Sequence, residues 1–187
     1  MKKILILVSL MIIAGCVPSY ELLKSGDTKM WNAYTVSTPE NINEMKLDGL
    51  VSWTKYGPLL EQIRFLKPIG EGDKIPFIYS SENESKVPTY RSGMTPEEVV
   101  ELYRSSNTLG GTIVTAISEL EPVNLGGGQG YTFVASLSSP KGKDYKSKVY
   151  FTEHEQKLYM IEFGAHATHY FEHRQDFVQD VVTSIKF

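Results

Sequence analysis

Four segments in the second half of the chain place the strongest constraint on its fold. Each reads as a β-strand, and links rich in turn-forming residues separate the segments. Strands joined by short links pair antiparallel, because a parallel pair needs a long crossover. The sequence therefore predicts an antiparallel sheet containing the segments TIVTAISEL (112–120), GYTFVASLS (130–138), YKSKVYFT (145–152) and KLYMIEFGA (157–165).

The first half of the chain adds further predicted strands. WNAYTVS (31–37), GLVSWT (49–54) and EQIRFLKPI (61–69) each carry the two-residue alternation of a strand. IPFIYS (75–80) is a short strand or a loop, because Pro76 cannot donate to a sheet ladder. The β region is expected to begin at Trp31.

Two segments predict helices. Thr95 and Glu98 have the spacing of a capping box, and Pro96 stands at the first helical position, so TPEEVVELYRSS (95–106) begins a helix. In the last segment (170–187), apolar residues recur on one helical face. The predicted fold class is α+β, an antiparallel sheet with two main helices packed on it.

The N-terminal residues have the pattern of an export signal. MKK is followed by an apolar stretch of ten residues (4–13), too short for a membrane-spanning helix, and its last residue begins the sequence Ile13-Ala14-Gly15-Cys16. These four residues resemble the lipobox of bacterial lipoproteins. We therefore expect a signal peptide at 1–15, a lipidated tether at 16–30 and a single α+β domain at 31–187.

The resemblance to lipoproteins implies where the protein is located. Cys16, the only cysteine of the chain, would carry acyl chains such as palmitate, and the lipid bilayer would be its first partner. Two or three acyl chains give stable anchoring where one does not. Val17 replaces the aspartate that usually retains such proteins in the inner membrane. The periplasmic face of the outer membrane is therefore expected if the source has two membranes.

The order of strands and helices resembles the Mog1/PsbP-like fold, an α/β/α sandwich. The matching features are the β start near WNAYTVS, the capped helix TPEEVVELYRSS, the β-meander and a C-terminal helix running into SIKF. The resemblance implies a small non-enzymatic binding or assembly protein with a protein partner in the envelope. It implies no catalytic residues.

Several functional classes are disfavoured by the sequence. The formal net charge is -3 and no basic block interrupts the domain, which argues against nucleic-acid binding. The glycine-rich stretch NLGGGQGY (124–131) leads into a strand and not a helix, so it predicts a flexible or bulged connection and no phosphate loop. Neither a G-x-S-x-G elbow nor a free thiol points to an enzyme, and no cofactor is expected.

Three of the four histidines lie in GAHATHYFEH (164–173). In a helix, His166, His169 and His173 would share one face at spacings suited to zinc, copper or nickel. The stretch directly follows a strand, however, and no carboxylate lies on that face at ligand spacing. We therefore expect a partly exposed polar corner and no metal site.

Three functional hypotheses are consistent with the sequence. The first is a non-catalytic, membrane-anchored binding or assembly module, and the second is a periplasmic metal-binding protein that uses the histidine corner. The third is an unrecognised hydrolase. A cleft with convergent titratable groups would favour the hydrolase, and a closed, well-filled domain would favour the first hypothesis.

Overall fold

The computed structural model of the chain describes residues 19–76, 78, 81–139 and 142–187, and within them nine strands form one antiparallel sheet. The strands of the molecule in chain order are β1 (Glu21–Leu23), β2 (Gly26–Met30), β3 (Tyr34–Thr38), β4 (Ile42–Leu47), β5 (Leu50–Thr54), β6 (Glu61–Leu66), β7 (Ile113–Ile117), β8 (Glu121–Leu125), β9 (Gly128–Ser138), β10 (Asp144–His154) and β11 (Lys157–His166). The sheet order is β1-β4-β5-β6-β11-β10-β9-β7, and β8 also pairs with β9. Strands β2 and β3 form a separate hairpin. The prediction of an antiparallel sheet is confirmed.

Tight turns set the register of the long strands β9, β10 and β11. Glu155 and Gln156 join β10 to β11 with φ angles of 48° and 59°, the left-handed conformation of a type I′ turn. Gly126 and Gly127 join β8 to β9 in the same way, with φ angles of 65° and 84°. The glycine-rich stretch therefore contains the regular two-residue turn of the β8–β9 hairpin. The predicted flexible or bulged connection is wrong.

The helices are α1 (Pro96–Leu109), α2 (Tyr170–His173) and α3 (Gln175–Thr183), and residues Ser81–Lys86 form a 3₁₀ helix. The predicted capping box is present, because the Glu98 backbone N–H donates to Thr95 Oγ1 at 3.3 Å and the Thr95 N–H donates to Glu98 Oε2 at 2.8 Å. The predicted C-terminal helix is interrupted at Arg174. The Arg174 side chain is buried at this point and forms an ion pair with Glu40, 2.7 Å away.

Helices α1 and α3 belong to different hydrophobic clusters. On β11, Tyr159 and Ile161 lie in the cluster that contains α3, whereas Leu158 and Met160 lie in the cluster that contains α1. Successive side chains of a strand point to opposite faces of its sheet. The two helices therefore pack on opposite faces of the sheet, and β11 is buried on both sides.

The N-terminal edge differs from the prediction. Residues 21–23 pair with β4 and residues 26–30 pair with β3, so the tether predicted for 16–30 is wrong over these residues. Trp31 and Asn32 lie in the turn between β2 and β3, and the predicted start of the domain at residue 31 is therefore late. These edge strands are short and polar, with Leu22 exposed, and they lack the alternation by which core strands are recognised.

Two other strands were not expected. Strand β4 lies between predicted strands, and β8 contains Pro122, which is tolerated at a sheet edge. Ile75 and Pro76 are not in a strand, and residues 77, 79 and 80 of the segment IPFIYS lie outside the described residues.

The predicted signal peptide, the lipobox and Cys16 also lie outside the described residues. Within the part of the chain that the structure describes, no helix is long and apolar enough to cross a membrane.

The capping box yields a stability prediction. Thr95→Ala removes the acceptor for the Glu98 N–H and is expected to lower the free energy of unfolding by about 1 kcal/mol. Thr95→Asp keeps an acceptor and places a negative charge at the positive end of the helix, so it should be nearly neutral. Urea unfolding of both variants measures the difference, and equal losses would contradict the capping role.

Candidate functional site: a cleft over a buried ion pair

The structure separates the histidines of the predicted polar corner. His166 is the last residue of β11, where its ring lies 5.5 Å from that of Tyr145 and its Nδ1 lies 3.1 Å from Thr168 Oγ1. His169 precedes α2 and stacks on His173, with ring centroids 5.4 Å apart. Among the described residues, no group of three or more His, Cys, Asp or Glu side chains is arranged to hold a metal ion.

A row of polar residues crosses the centre of the sheet on the α1 face. Ser52 on β5 lies opposite Arg64 on β6, and Arg64 lies opposite Glu162 on β11. The sheet pleat sends their neighbours Ile63, Phe65 and Phe163 into the core on the α3 face. The register of three strands thus brings one cation and one carboxylate together beside α1.

The Glu162 carboxylate is 1% exposed and accepts hydrogen bonds from three different elements. Arg64 donates from Nη2 to Oε2, forming an ion pair. Tyr103 on α1 donates its hydroxyl to Oε1 at 2.9 Å, and Ser147 on β10 donates to the same oxygen at 2.6 Å. Both carboxylate oxygens are therefore engaged, as a buried charge requires.

The proton states of the donors follow from this environment. Burial would lower the pKa of the Arg64 guanidinium, but its interactions with Glu162 and Tyr103 outweigh burial and raise that pKa. Burial, and after it the charge of Glu162, raise the pKa of the Tyr103 hydroxyl well above its ordinary value. Arg64 is therefore a cation and Tyr103 a neutral donor at neutral pH.

An open cleft of about 470 Å³ lies over this network. That volume is within the range of small-molecule sites. Its walls combine apolar residues near one end with amides and hydroxyls near the ion pair. The cleft is lined by Pro58, Leu60, Gln62, Arg64, Ile78, Asn107, Gly110, Thr112, Leu137, Ser139, Tyr145, Ser147, Glu162, Gly164 and Ala165.

The floor of the cleft offers hydrogen-bond donors. The Ser52 hydroxyl donates to Gln62 Oε1 at 2.9 Å, which orients the Gln62 NH₂ group away from Ser52. The Arg64 side chain is 20% exposed, and its buried Nε has no partner among the described residues. Arg64 and Glu162 are the only charged residues among the described residues that line the cleft. Since both Glu162 oxygens already accept hydrogen bonds, the charged pair offers a ligand free donors of Arg64 and no free acceptor.

Sequence reasoning missed this site. Arg64 and Glu162 stand at alternating positions of predicted strands, where polar residues normally face solvent. The one available signal was Glu162 itself, a single carboxylate inside the apolar run LYMIEFGA (158–165). A charged residue in such a run is seldom buried without a partner, but no spacing rule identifies a partner that is 98 residues away.

The comparisons with known proteins identify the fold. The solution structure of cyanobacterial PsbP (CyanoP) from Synechocystis sp. PCC 6803 is similar with a TM-score of 0.56 and 13% identity, over 90% of this chain and 92% of that chain. The crystal structure of the Saccharomyces cerevisiae Ran-binding protein Mog1p matches with a TM-score of 0.45 and 11% identity, over 89% of this chain and 95% of that one. The domain is Mog1/PsbP-like, a mostly antiparallel sheet with a few helices. At this identity the likeness concerns the fold alone.

The sequence comparisons add no closer relationship. No protein-family model matches the chain, and no curated protein matches it.

The ion pair yields a second stability prediction. Arg64→Met leaves the buried Glu162 carboxylate without its cation and should lower the free energy of unfolding by about 3 kcal/mol. The double variant Arg64→Met/Glu162→Gln has no buried charge, and the amide oxygen introduced at position 162 still accepts from Tyr103 and Ser147, so its loss should be smaller. Chemical denaturation of both variants tests this. A double variant as unstable as the single one would contradict the role of charge.

The histidine geometry yields a third prediction. Replacing His166, His169 and His173 together with Gln should change the free energy of unfolding by about 0.5 kcal/mol or less. Zinc should raise the melting temperature equally little in both proteins. A metal that binds only the folded state stabilises it by about 2.7 kcal/mol at 100 times its dissociation constant, so a zinc-dependent shift confined to the wild type would reveal a metal site.

Proposed function

We propose that this protein is a bacterial envelope lipoprotein, anchored to the membrane through acylated Cys16, whose domain is a non-catalytic binding module. The open cleft beside α1 carries the proposal. Its polar floor, in which three donors hold the Glu162 carboxylate, and its apolar rim are the usual composition of a preformed ligand site. The module would bind its partner or ligand in this cleft.

Titratable groups converge in the cleft, which is the feature expected of a hydrolase. The binding-module and hydrolase hypotheses therefore have to be distinguished. Ser147 is 2% exposed and Glu162 is 1% exposed, so little of either side chain is open to a substrate although both line the cleft. The Glu162 oxygens already accept three hydrogen bonds. A carboxylate engaged in this way is a poor general base, and these contacts favour binding over catalysis.

The start of the described sheet supports a short connection to the anchor. Strand β1 begins at Glu21, five residues after Cys16. Five extended residues span at most about 17 Å. The domain would therefore lie directly at the bilayer surface, on the periplasmic face of the outer membrane if the source has two membranes.

The same proposal includes a finer view of the fold and of the partner. Helices packed on opposite faces of the sheet support an α/β/α sandwich. Exposed apolar side chains beside the cleft, Leu59 and Leu60 in the loop before β6, support a protein partner in the envelope.

The anchor is tested by fatty-acid labelling of cells that express the full chain. Wild-type protein should incorporate labelled palmitate and remain with membranes after a salt wash, whereas Cys16→Ser should do neither. Incorporation of label by the Cys16→Ser variant would disprove the proposed lipidation.

The binding site is tested by screening small fragments of mixed charge against the purified intact chain. A Cβ added at Gly164 would lie 3.4 Å from Ser147 Oγ, so Gly164→Ala tests whether the fold tolerates a side chain at this position. Gly164→Leu should project into the cleft and abolish binding. Hits that Gly164→Leu does not affect would place binding elsewhere, and turnover of an ester that is lost in Ser147→Ala would favour a hydrolase.

A further inference from the structure

We infer that the cleft recognises an organic carboxylate with a short apolar body. The inference rests on the proposed binding function and adds the chemical class of the ligand. It depends on the order of side chains along β6, on the excess of donors at the floor and on the apolar residues at the border of the cleft.

Side chains on the cleft face of β6 change from charged to apolar along the strand. Arg64, Gln62 and Leu60 follow at two-residue intervals, which places them on one face about 7 Å apart. Arg64 and Gln62 are half-buried, and Leu60 is 36% exposed at the rim. Leu60 precedes β6 but continues its pairing with β11, since the Leu60 carbonyl accepts a hydrogen bond from the His166 N–H at 2.9 Å. A ligand with a polar head at Gln62 and Arg64 would therefore place its body against Leu60.

The head group must be an acceptor. Glu162 uses Nη2 of Arg64, but the guanidinium has further donors. The Gln62 NH₂ group is directed away from Ser52 because Ser52 holds its oxygen. A carboxylate satisfies several donors at once, and Arg–carboxylate hydrogen bonds are strong. A cationic head group would be repelled by the like charge of Arg64. The carboxylate that could attract it, Glu162, already accepts hydrogen bonds from three donors.

The body of the ligand must be short and apolar. The apolar residues that border the cleft include Pro58, Leu60 and Leu137. The distance from Gln62 to Leu60 is one two-residue step of the strand. Gly164 lies opposite Gln62 on β11, and because it has no side chain it leaves room for the body above the sheet.

Two sources could supply such a carboxylate, a free organic acid and the C-terminus of a peptide. Both share the acceptor and the adjacent apolar group. The test therefore uses 3-phenylpropionate and the peptide acetyl-Ala-Leu as acids, each with its amide as the uncharged match. The intact acylated chain in detergent micelles is titrated with each probe by equilibrium dialysis.

The expected result is binding of an acid about tenfold or more tighter than that of its amide, since a site built for a charged acceptor rejects the analogue that lacks it. Tighter binding of the peptide acid would identify a chain terminus as the source, and tighter binding of 3-phenylpropionate would identify a free acid. Gly164→Leu, once its melting transition shows that it is folded, should abolish binding.

The charge of Arg64 is tested in the double variant Arg64→Met/Glu162→Gln, once its melting transition shows that it is folded. The preference for the acid over the amide should disappear in this variant. Equal binding of acid and amide to the wild type, blocked by Gly164→Leu, would overturn the carboxylate assignment and leave the cleft as a binding site. Failure of all four probes would also overturn the assignment, whereas the proposed function would then depend on the fragment screen alone.

Discussion

The burial of the Glu162 carboxylate is the constraint on which the arrangement of the domain depends. Glu162 lies on β11, near the middle of the sheet, and is 1% exposed. A carboxylate in that position is tolerated only if charge and hydrogen bonds replace the lost water. Its donors are Arg64 from β6, Ser147 from β10 and Tyr103 from α1. One side chain thus sets the position of a helix relative to three neighbouring strands.

The same constraint produces the cleft. Tyr103 brings α1 over the ion pair, and Val99 and Leu102 of the same helix pack into the apolar cluster on that face of the sheet. The sheet beyond the ion pair, at Gln62 and Gly164, is left uncovered. Because three donors hold the Glu162 carboxylate, its charge is balanced and the remaining donors of Arg64 are left for a ligand. A floor held by such contacts and offering accessible donors is suited to recognition.

The fold was largely predictable because most of its signals are local. The capping box at Thr95 and the tight turn at Glu155 and Gln156 involve residues within a few positions of one another, and the alternation of the core strands is equally local. Edge strands such as β1 and β8 were missed because they are short and most of their residues are exposed, so the alternation rule has nothing to detect. No local pattern indicated the break at Arg174, whose side chain pairs with Glu40, 134 residues away along the chain.

The sequence by itself determined the fold class, the capped helix, the hairpins of the second half and the expectation of a lipid anchor on Cys16. Each depends on residues that are close along the chain, or on a motif that is read without folding. Only the tertiary structure decided that Arg64, Tyr103, Ser147 and Glu162 meet, that the histidines of 166–173 do not converge, and that a cleft stays open beside α1. The physical reason is that strand register and helix docking depend on contacts between distant residues, whose pairing energies no local pattern records.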